Sequence, residues 1–123
     1  MRTRQLGPFT VSAIGLGAMP VSMNSDDKFP SEADAISTVH AALDAGVTLI
    51  DTADIYSPSW DTMGHNERIV GRAVRSWGGK TDDIVIATKG GITRSAGEQW
   101  GRDGSLDYLR SAVEKSLQAL RST

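Results

Sequence analysis

Two short stretches decide the fold: VTLIDTADIY at Val47–Tyr56 and DIVIATK at Asp83–Lys89. Each contains a β-branched, apolar run that ends in a charged side chain, Asp51 in the first and Lys89 in the second. Continuous apolar runs of this kind are typical of strands buried on both faces of a parallel sheet. A third apolar run, SAIGLGAM at Ser12–Met19, leads into a glycine-marked loop. The sequence therefore predicts three buried strands.

A segment with helical periodicity follows each predicted strand. The apolar positions are Ile36, Val39 and Leu43; then Ile69, Val70, Ala73, Val74 and Trp77; and finally Leu106, Leu109, Val113, Leu117 and Leu120. Spacings of three and four residues place each set on one face of a helix, and we expect the helices to pack on the sheet. Ser31, Asn66 and Ser105 precede the three sets and are expected to cap the helices.

The order of elements indicates an α/β fold. A short hairpin is predicted from Arg4 to Val11, turned at Gly7 and Pro8, and three strand-helix units follow it. Strands joined through helices are parallel and form right-handed crossovers. Two architectures satisfy this pattern: a small open sheet with helices on both faces, or the first part of a barrel of about 250 residues.

The composition limits the classes of partner. Of 123 residues, 39% are hydrophobic and 23% are charged, which is typical of a globular domain, and the net charge of −2 offers no basic surface for nucleic acid. The apolar runs are too short to cross a bilayer, and no signal peptide is recognisable. The absence of cysteine excludes disulfides and thiolate catalysis. We therefore expect a cytoplasmic protein without nucleic-acid or membrane partners.

Asp51, Tyr56 and Lys89 are the candidate catalytic residues. Asp51 and Lys89 come at the carboxyl ends of neighbouring strands, where parallel α/β proteins build their sites, so the two charges can pair. Tyr56 follows Asp51 on the same loop, and a nearby ammonium group favours a phenolate, so the three side chains could relay a proton. Spacing alone favours the simpler alternative of a structural ion pair beside a packed tyrosine.

The glycine-rich segment GLGAMP, Gly15–Pro20, is not a dinucleotide-binding fingerprint. Its third glycine is missing, and the next helix begins only near Ser31, so no helix N-terminus is available for a pyrophosphate. Gly15 and Gly17 are instead expected to let the backbone at the strand end approach another group closely.

The remaining chemically interesting side chains give weaker signals. His40 is expected to pack within the first helix and His65 to be a solvated loop residue, and because neither has a partner at metal-ligand spacing we expect no metal site. The serines Ser57, Ser95 and Ser105 lack the context of a nucleophile elbow. Trp60 and Trp100 lie on long loops, where they could line an apolar substrate mouth or simply pin their own loops.

Taken together, the segments resemble the aldo-keto reductase family. RQLGPFTVSAIGLGAM at Arg4–Met19 resembles the family's opening hairpin and first strand, and LIDTADIY at Leu49–Tyr56 its aspartate-tyrosine segment. GHNERIVGRAV at Gly64–Val74 resembles the helix that follows, and IVIATKGG at Ile84–Gly91 the strand that ends in the catalytic lysine. The stretch from Trp100 to Thr123 is similar to the third loop and helix of a bacterial branch. The resemblance covers essentially the whole chain, in order.

The resemblance implies a fold and a reaction. The fold would be a (β/α)8 TIM barrel, of which residues 1–123 form one partial domain: the bottom hairpin and about three βα units, with the barrel incomplete. The reaction would be the nicotinamide-dependent reduction of small aldehydes and ketones, with NADPH as the expected cofactor and NADH as a possible one. Tyr56 would donate the proton, Lys89 would lower the pKa of the phenol, and Asp51 would hold Lys89.

By the same resemblance, Gly17, Ala18 and Met19 would lie near the nicotinamide end of the cofactor, together with Asp51. The loop SPSWDTMGH at residues 57–65 is longer than the commonest family form, which affects the shape of the substrate pocket. The family's catalytic histidine and its residues for the adenine and phosphates have no counterpart in this chain. We therefore expect the isolated chain to be inactive. The alternative is a non-catalytic, reductase-like binding or regulatory module, or a truncated relic.

Overall fold

The computed structural model describes residues 1–121, so residues 122–123, which end the predicted domain, lie outside the described part. In chain order the elements are β1 Thr3–Leu6, β2 Phe9–Ser12, β3 Leu16–Gly17, α1 Glu32–Asp44, β4 Leu49–Asp51, α2 His65–Ser76, β5 Val85–Ala87, β6 Ile92–Ser95, β7 Gln99–Arg102 and α3 Leu106–Arg121. Short 3₁₀ turns occupy Met19–Val21 and Trp60–Thr62. Within residues 1–121, no helix combines the length and the apolar character needed to cross a membrane.

A parallel sheet forms the centre of the fold, in the order β3-β4-β5, as the alternation of elements predicts. Its register aligns Gly17, Asp51 and Ala87 across the carboxyl ends of the strands. The strands are shorter than the apolar runs that predicted them, and Ser12, at the start of the first run, belongs to the preceding hairpin. Gly15 allows a close approach beside β3, since a Cβ there would lie 3.2 Å from the carbonyl oxygen of Leu49, a tight contact.

The opening hairpin, β1-β2, lies at the amino-terminal side of the sheet. Gly7 turns it with a φ of +58°, a conformation that favours glycine. Two reciprocal hydrogen bonds tie the hairpin to the segment before β4: the amide of Ser12 donates to Thr48 Oγ1, and the amide of Thr48 donates to Ser12 Oγ, each at 2.8 Å. This hairpin agrees with the sequence prediction.

The hydrophobic core lies between the sheet and helices α1 and α2. It is built from the buried side chains Ala18, Val39, Leu43, Ile50, Val70 and Ala73. Helix α1 begins as predicted, because Ser31 Oγ accepts a hydrogen bond from the amide of Asp34, and it buries the predicted positions Val39 and Leu43. These contacts orient the two helices so that their neighbouring loops meet at the carboxyl ends of the strands.

Helix α2 begins two residues earlier than predicted. Gly64, with a φ of +88°, occupies the N-cap position, and Asn66 is a fully buried residue inside the helix. The prediction that Asn66 caps this helix is therefore wrong. Its side chain points into the protein because Asn66 precedes Ile69 and Val70 by three and four residues, on the same face of the helix.

Helix α3 contradicts the prediction made from its apolar stripe. Ser105 caps the helix as expected, but the stripe is largely exposed: Leu106, Val113 and Leu117 are 63%, 59% and 44% accessible. Its buried face instead carries small residues, Ala112, Ser116 and Ala119. These pack against α2, which α3 approaches so closely that a Cβ at Gly71 would collide with the carbonyl group of Leu120.

The glycine-rich segment before α3 is a second hairpin, β6-β7, and not the loop that was predicted. Its turn uses positive φ angles at Gly97 and Glu98. The carboxylate of Glu98 accepts hydrogen bonds from Arg94 and from the backbone amide of Trp60. The hairpin is thus attached to the loop that carries Tyr56.

Candidate active site

Asp51 and Lys89 form an ion pair at the carboxyl end of the sheet. The ammonium of Lys89 lies 2.9 and 2.8 Å from the two carboxylate oxygens of Asp51 and 2.9 Å from the carbonyl oxygen of Thr52. Burial alone would lower the pKa of Lys89, but the interactions with Asp51 and Tyr56 outweigh it, and the pKa is raised. The ammonium therefore remains charged at neutral pH, with an acceptor for each of its three hydrogens.

Tyr56 joins this pair from the loop after β4. The Nζ atom of Lys89 lies 4.9 Å from the centre of the Tyr56 ring. The backbone carbonyl of Tyr56 accepts a hydrogen bond from the amide of Asn66 at 3.1 Å. The structure thus brings the three candidate catalytic residues together. The Lys89 ammonium lies beside the Tyr56 ring and is bound by the carboxylate of Asp51.

Asn66 connects two of the three strand ends. Its Nδ2 donates to the carbonyl oxygen of Ala18 and to Ser22 Oγ, each at 2.8 Å, and its Oδ1 accepts from Thr52 Oγ1 at 2.6 Å. Ala18 follows β3, and Thr52 follows Asp51 at the end of β4. One fully buried side chain therefore fixes the segments on both sides of the candidate site.

Glu67 and Asp54 fix the third strand end, after β5. Glu67, only 1% exposed, accepts a hydrogen bond from Thr88 Oγ1 at 2.8 Å. The amide of Asp54 donates to the carbonyl oxygen of Lys89 at 3.2 Å. The start of α2 and the loop before it thereby set the position of the backbone from which the Lys89 side chain projects.

Arg94 holds the loop on both sides of Tyr56. Its Nη1 donates to the carbonyl oxygens of Ile55 and Ser57, both at 2.9 Å, and to Ser57 Oγ at 3.0 Å. The other guanidinium nitrogens bind Glu98, and the side chain is only 4% exposed. These hydrogen bonds hold the start of the loop at residues 57–65, which is longer than the commonest family form.

The segment Gly17–Met19, predicted to lie near the nicotinamide, is placed beside Asp51. Gly17 pairs with Asp51 in the sheet, and the amide of Ala18 donates to the carbonyl oxygen of Asp51 at 2.9 Å. Gly17 and Met19 are exposed, whereas the side chain of Ala18 is buried in the core. A Cβ at Gly17 would meet no atom within 4 Å, so the backbone faces open space there.

The two histidines lie away from this centre. His40 is half-buried, and its Nε2 lies 2.8 Å from the carbonyl oxygen of Ala73, which agrees with the packing role expected of it. His65 is the first residue of α2, and its Nδ1 lies 2.7 Å from Ser22 Oγ, so the prediction of a solvated loop residue is wrong. Burial and then the charge of Arg68 lower the pKa of His65.

The two tryptophans both lie at the surface of the loop region. Trp60 is 40% exposed and Trp100 is 51% exposed. The guanidinium carbon of Arg94 lies 4.6 Å from the centre of the Trp100 ring. Together with the hydrogen bond from the Trp60 amide to Glu98, these contacts favour the second alternative, in which the tryptophans help to hold their loops.

The comparisons with known proteins agree with this geometry. A sequence model of the aldo/keto reductase family matches residues 13–123. An uncharacterized oxidoreductase, YqkF of Bacillus subtilis, is 35% identical over 125 residues, covering 99% of this chain and 36% of the relative. A 6-dehydroglucose reductase of Novosphingobium aromaticivorans is 37% identical over 121 residues, covering 96% of this chain and 37% of the relative. The chain thus spans about a third of the length of these curated relatives.

A solved structure shows the same relationship. The holo form of the aldo-keto reductase AKR11C1 of Bacillus halodurans matches with a TM-score of 0.77 and 34% identity, over 99% of this chain and 37% of that one. Such relatives are (β/α)8 barrels, so the fold prediction is confirmed: the chain corresponds to the N-terminal hairpin and first three βα units, without a closed barrel. The chain therefore belongs to the aldo/keto reductase family.

Proposed function

We propose that this chain supplies the proton-transfer centre of an NAD(P)H-dependent oxidoreductase that reduces small aldehydes and ketones to alcohols. The observation that carries the proposal is the position of the Lys89 ammonium, bound by both oxygens of Asp51 and 4.9 Å from the Tyr56 ring centre. A fixed cation next to a phenol at the carboxyl end of a parallel sheet favours acid catalysis by tyrosine, because the cation stabilises the phenolate that forms.

Tyr56 acts as the general acid. Its hydroxyl hydrogen passes to the carbonyl oxygen of the substrate, the O–H bond of the product alcohol forms, and a phenolate remains. Lys89 stabilises that phenolate electrostatically, and its raised pKa keeps it charged while it does so. Asp51 and the carbonyl oxygen of Thr52 keep the ammonium in place, so that little reorganisation is needed when the phenolate forms.

The surface beside Asp51 is where the cofactor would bind. The open backbone at Gly17 and the exposed side chain of Met19 would bind the nicotinamide end, with Ala18 contributing backbone only. When bound, NADPH, or NADH as the alternative, supplies the hydride for the carbonyl carbon.

A non-catalytic binding module is the competing function. The complete set of Asp51, Tyr56 and Lys89, held by hydrogen bonds around each strand end, favours the enzyme. The 123 residues by themselves should not turn over, because three parallel strands do not enclose a barrel core. We propose residues 1–123 as one partial barrel domain of the enzyme.

The test begins with the intact mass of the protein as its source cell makes it, compared with 13.1 kDa for this chain. NADPH oxidation by that protein is then followed with an activated aromatic aldehyde. Tyr56→Phe should reduce kcat at least about a hundredfold, and Lys89→Met similarly. Lys80→Met, at a surface lysine outside the site, is the matched control. Full activity in Tyr56→Phe would refute the assigned role, and a product of 13.1 kDa without activity would favour the binding module.

A further inference from the structure

A cavity lies between α2, α3 and the β6-β7 hairpin, with a volume of about 570 Å³. Its lining includes Asp54, Glu67, Arg68 and Lys115, but none of the three candidate catalytic residues. Cavities that bind small molecules commonly have volumes of about 300 to 1,000 Å³. The cavity is therefore large enough for a ligand and separate from the proposed active site.

One carboxylate that lines the cavity has an oxygen without a hydrogen-bond partner. Asp54 is only 6% exposed, and its Oδ1 is buried without a hydrogen-bond partner among residues 1–121. Glu67 lies close enough to raise the pKa of Asp54, which burial and this neighbour together bring to about 6. A buried carboxylate oxygen without a partner is costly, and a bound cation or hydrogen-bond donor would remove that cost.

The walls of the same cavity carry cations that form no ion pair within the described residues. Arg68 and Lys115 both line it, and neither belongs to any of the ion pairs in residues 1–121. Arg94, which also lines the cavity, is already bound to Glu98 and to the Tyr56 loop. Two carboxylates and two cations without ion-pair partners therefore face one space.

We propose that this cavity is a second small-molecule site, selective for a compact zwitterion whose ammonium binds Asp54 and whose carboxylate binds Lys115 and Arg68. A molecule with both charges matches the balanced lining, whereas a simple amine would leave the cations unpaired and a simple acid would face the carboxylates. A metal ion is a poorer match, because within residues 1–121 no group of three His, Asp or Glu side chains could hold one. The proposal does not depend on the reductase function.

The binding test uses the isotope-labelled chain and three matched probes: γ-aminobutyrate, butylammonium and butyrate. Amide chemical shifts are followed by NMR while each probe is added. We expect γ-aminobutyrate to produce saturable shifts at Asp54, Lys115 and their neighbours, and to bind at least about tenfold more tightly than either singly charged probe. If butylammonium or butyrate binds as tightly as γ-aminobutyrate, the proposed selectivity for a zwitterion is wrong. If none of the three probes shifts the amide signals around the cavity, the proposed binding site is wrong.

Two variants assign the ends of the ligand. Asp54→Asn keeps the shape of the side chain and should weaken γ-aminobutyrate at least about tenfold, whereas butyrate should bind no more weakly than to the parent. Lys115→Gln should weaken γ-aminobutyrate similarly, whereas butylammonium should bind no more weakly than to the parent. Asp82→Asn and Lys80→Gln, at exposed positions outside the cavity, are the matched controls. Unchanged affinity in Asp54→Asn, in a variant whose remaining amide spectrum matches the parent, would contradict the proposal.

Discussion

The guanidinium of Arg94 lies 2.9 Å from the backbone carbonyl oxygen of Ser57, the residue that follows Tyr56. The same Nη1 also binds the carbonyl oxygen of Ile55, the residue before Tyr56. The proposed acid therefore sits between two backbone groups that a single buried side chain holds. Because Arg94 belongs to the β6-β7 hairpin, the position of Tyr56 depends on an element that lies outside the parallel sheet.

Arg94→Ala should free the loop around Tyr56. The change leaves the carbonyl groups of Ile55 and Ser57 without their donor, so we expect a loss of about 2 kcal/mol in the free energy of unfolding. Amide hydrogen exchange should also accelerate locally at residues 55–57. Urea unfolding and exchange measured by NMR check both effects. Arg102→Ala, at an exposed arginine of the same hairpin, should change neither, and equal effects from the two variants would contradict the role given to Arg94.

Asn66→Ala should be among the more destabilising polar substitutions. It removes hydrogen bonds to Ala18, Ser22 and Thr52 from a fully buried position, and we expect a loss of about 2 to 4 kcal/mol. The measurement is the midpoint and slope of urea unfolding. Asn24→Ala, in a loop, provides the comparison and should cost less than about 1 kcal/mol. Similar losses at the two positions would mean that Asn66 does not join the strand ends.

The sequence predicted the three-stranded sheet, the opening hairpin and the pairing of Asp51 with Lys89. These features follow from local signals: apolar runs define the strands, and the charges that end the second and third runs mark the carboxyl edge of the sheet. The role of Asn66 was missed because its residue type is a common cap. Its position on the face of Ile69 and Val70 was the signal that could have revealed a buried side chain.

Other features depend on contacts that no local pattern encodes. Arg94 reaches the Tyr56 loop across 37 residues of sequence, and the β6-β7 hairpin that carries it lacks strong strand-forming periodicity. The environment of Asp54 arises only when Glu67 and helix α3 fold over it. The sequence predicted the apolar stripe of α3 correctly, but it did not indicate which face of the helix packs against the rest of the chain. Helix α2 contacts the face that carries the small residues Ala112, Ser116 and Ala119.

Asp51→Asn should lower the pKa of Lys89. Burial lowers the pKa of Lys89, and the hydrogen bond to the Asp51 carboxylate is the strongest interaction that raises it. Without that carboxylate, the effect of burial is offset less and the pKa falls. In the parent, the raised pKa means that any stability gained from the charged pair is lost only as the pH rises through the folded pKa of Lys89. NMR titration of the Lys89 side chain tests the shift. Asp82→Asn is the control, and a pKa that responds equally to both variants would contradict the pairing.

Asp54 should make the chain less stable as the pH rises. Its pKa is about 6 in the folded protein against an ordinary value of 3.8, so between these values the folded state binds more protons than the unfolded state. The free energy of unfolding therefore falls as the pH rises from about 4 to about 6. Asp54→Asn should be more stable than the parent at pH 7, by about 1 to 2 kcal/mol after allowing for screening by water in the cavity.

That advantage should disappear below about pH 4, where the parent carboxyl is protonated in both states. Urea unfolding of the two proteins across this pH range measures the difference. His65, with its lowered pKa, gives the opposite slope near neutral pH but is present in both proteins, so its contribution cancels. A stability difference that does not vary with pH would show that the Asp54 carboxyl is not destabilised by burial.

The exposed stripe of α3 should make the isolated chain associate. Val113 and Leu117, at 59% and 44% accessible, lie beside a groove that also contains Leu109, and exposed apolar area of this kind drives association at about 25 cal/mol per Å² buried. Replacing both Val113 and Leu117 with Gln keeps a good helix former and should lower the average mass measured by sedimentation at the same concentration. Replacing Arg110 and Glu114 with Gln on the same helix is the matched control. If the chain still associates after Val113 and Leu117 are replaced but not after Arg110 and Glu114 are replaced, the contact lies on the charged face of α3.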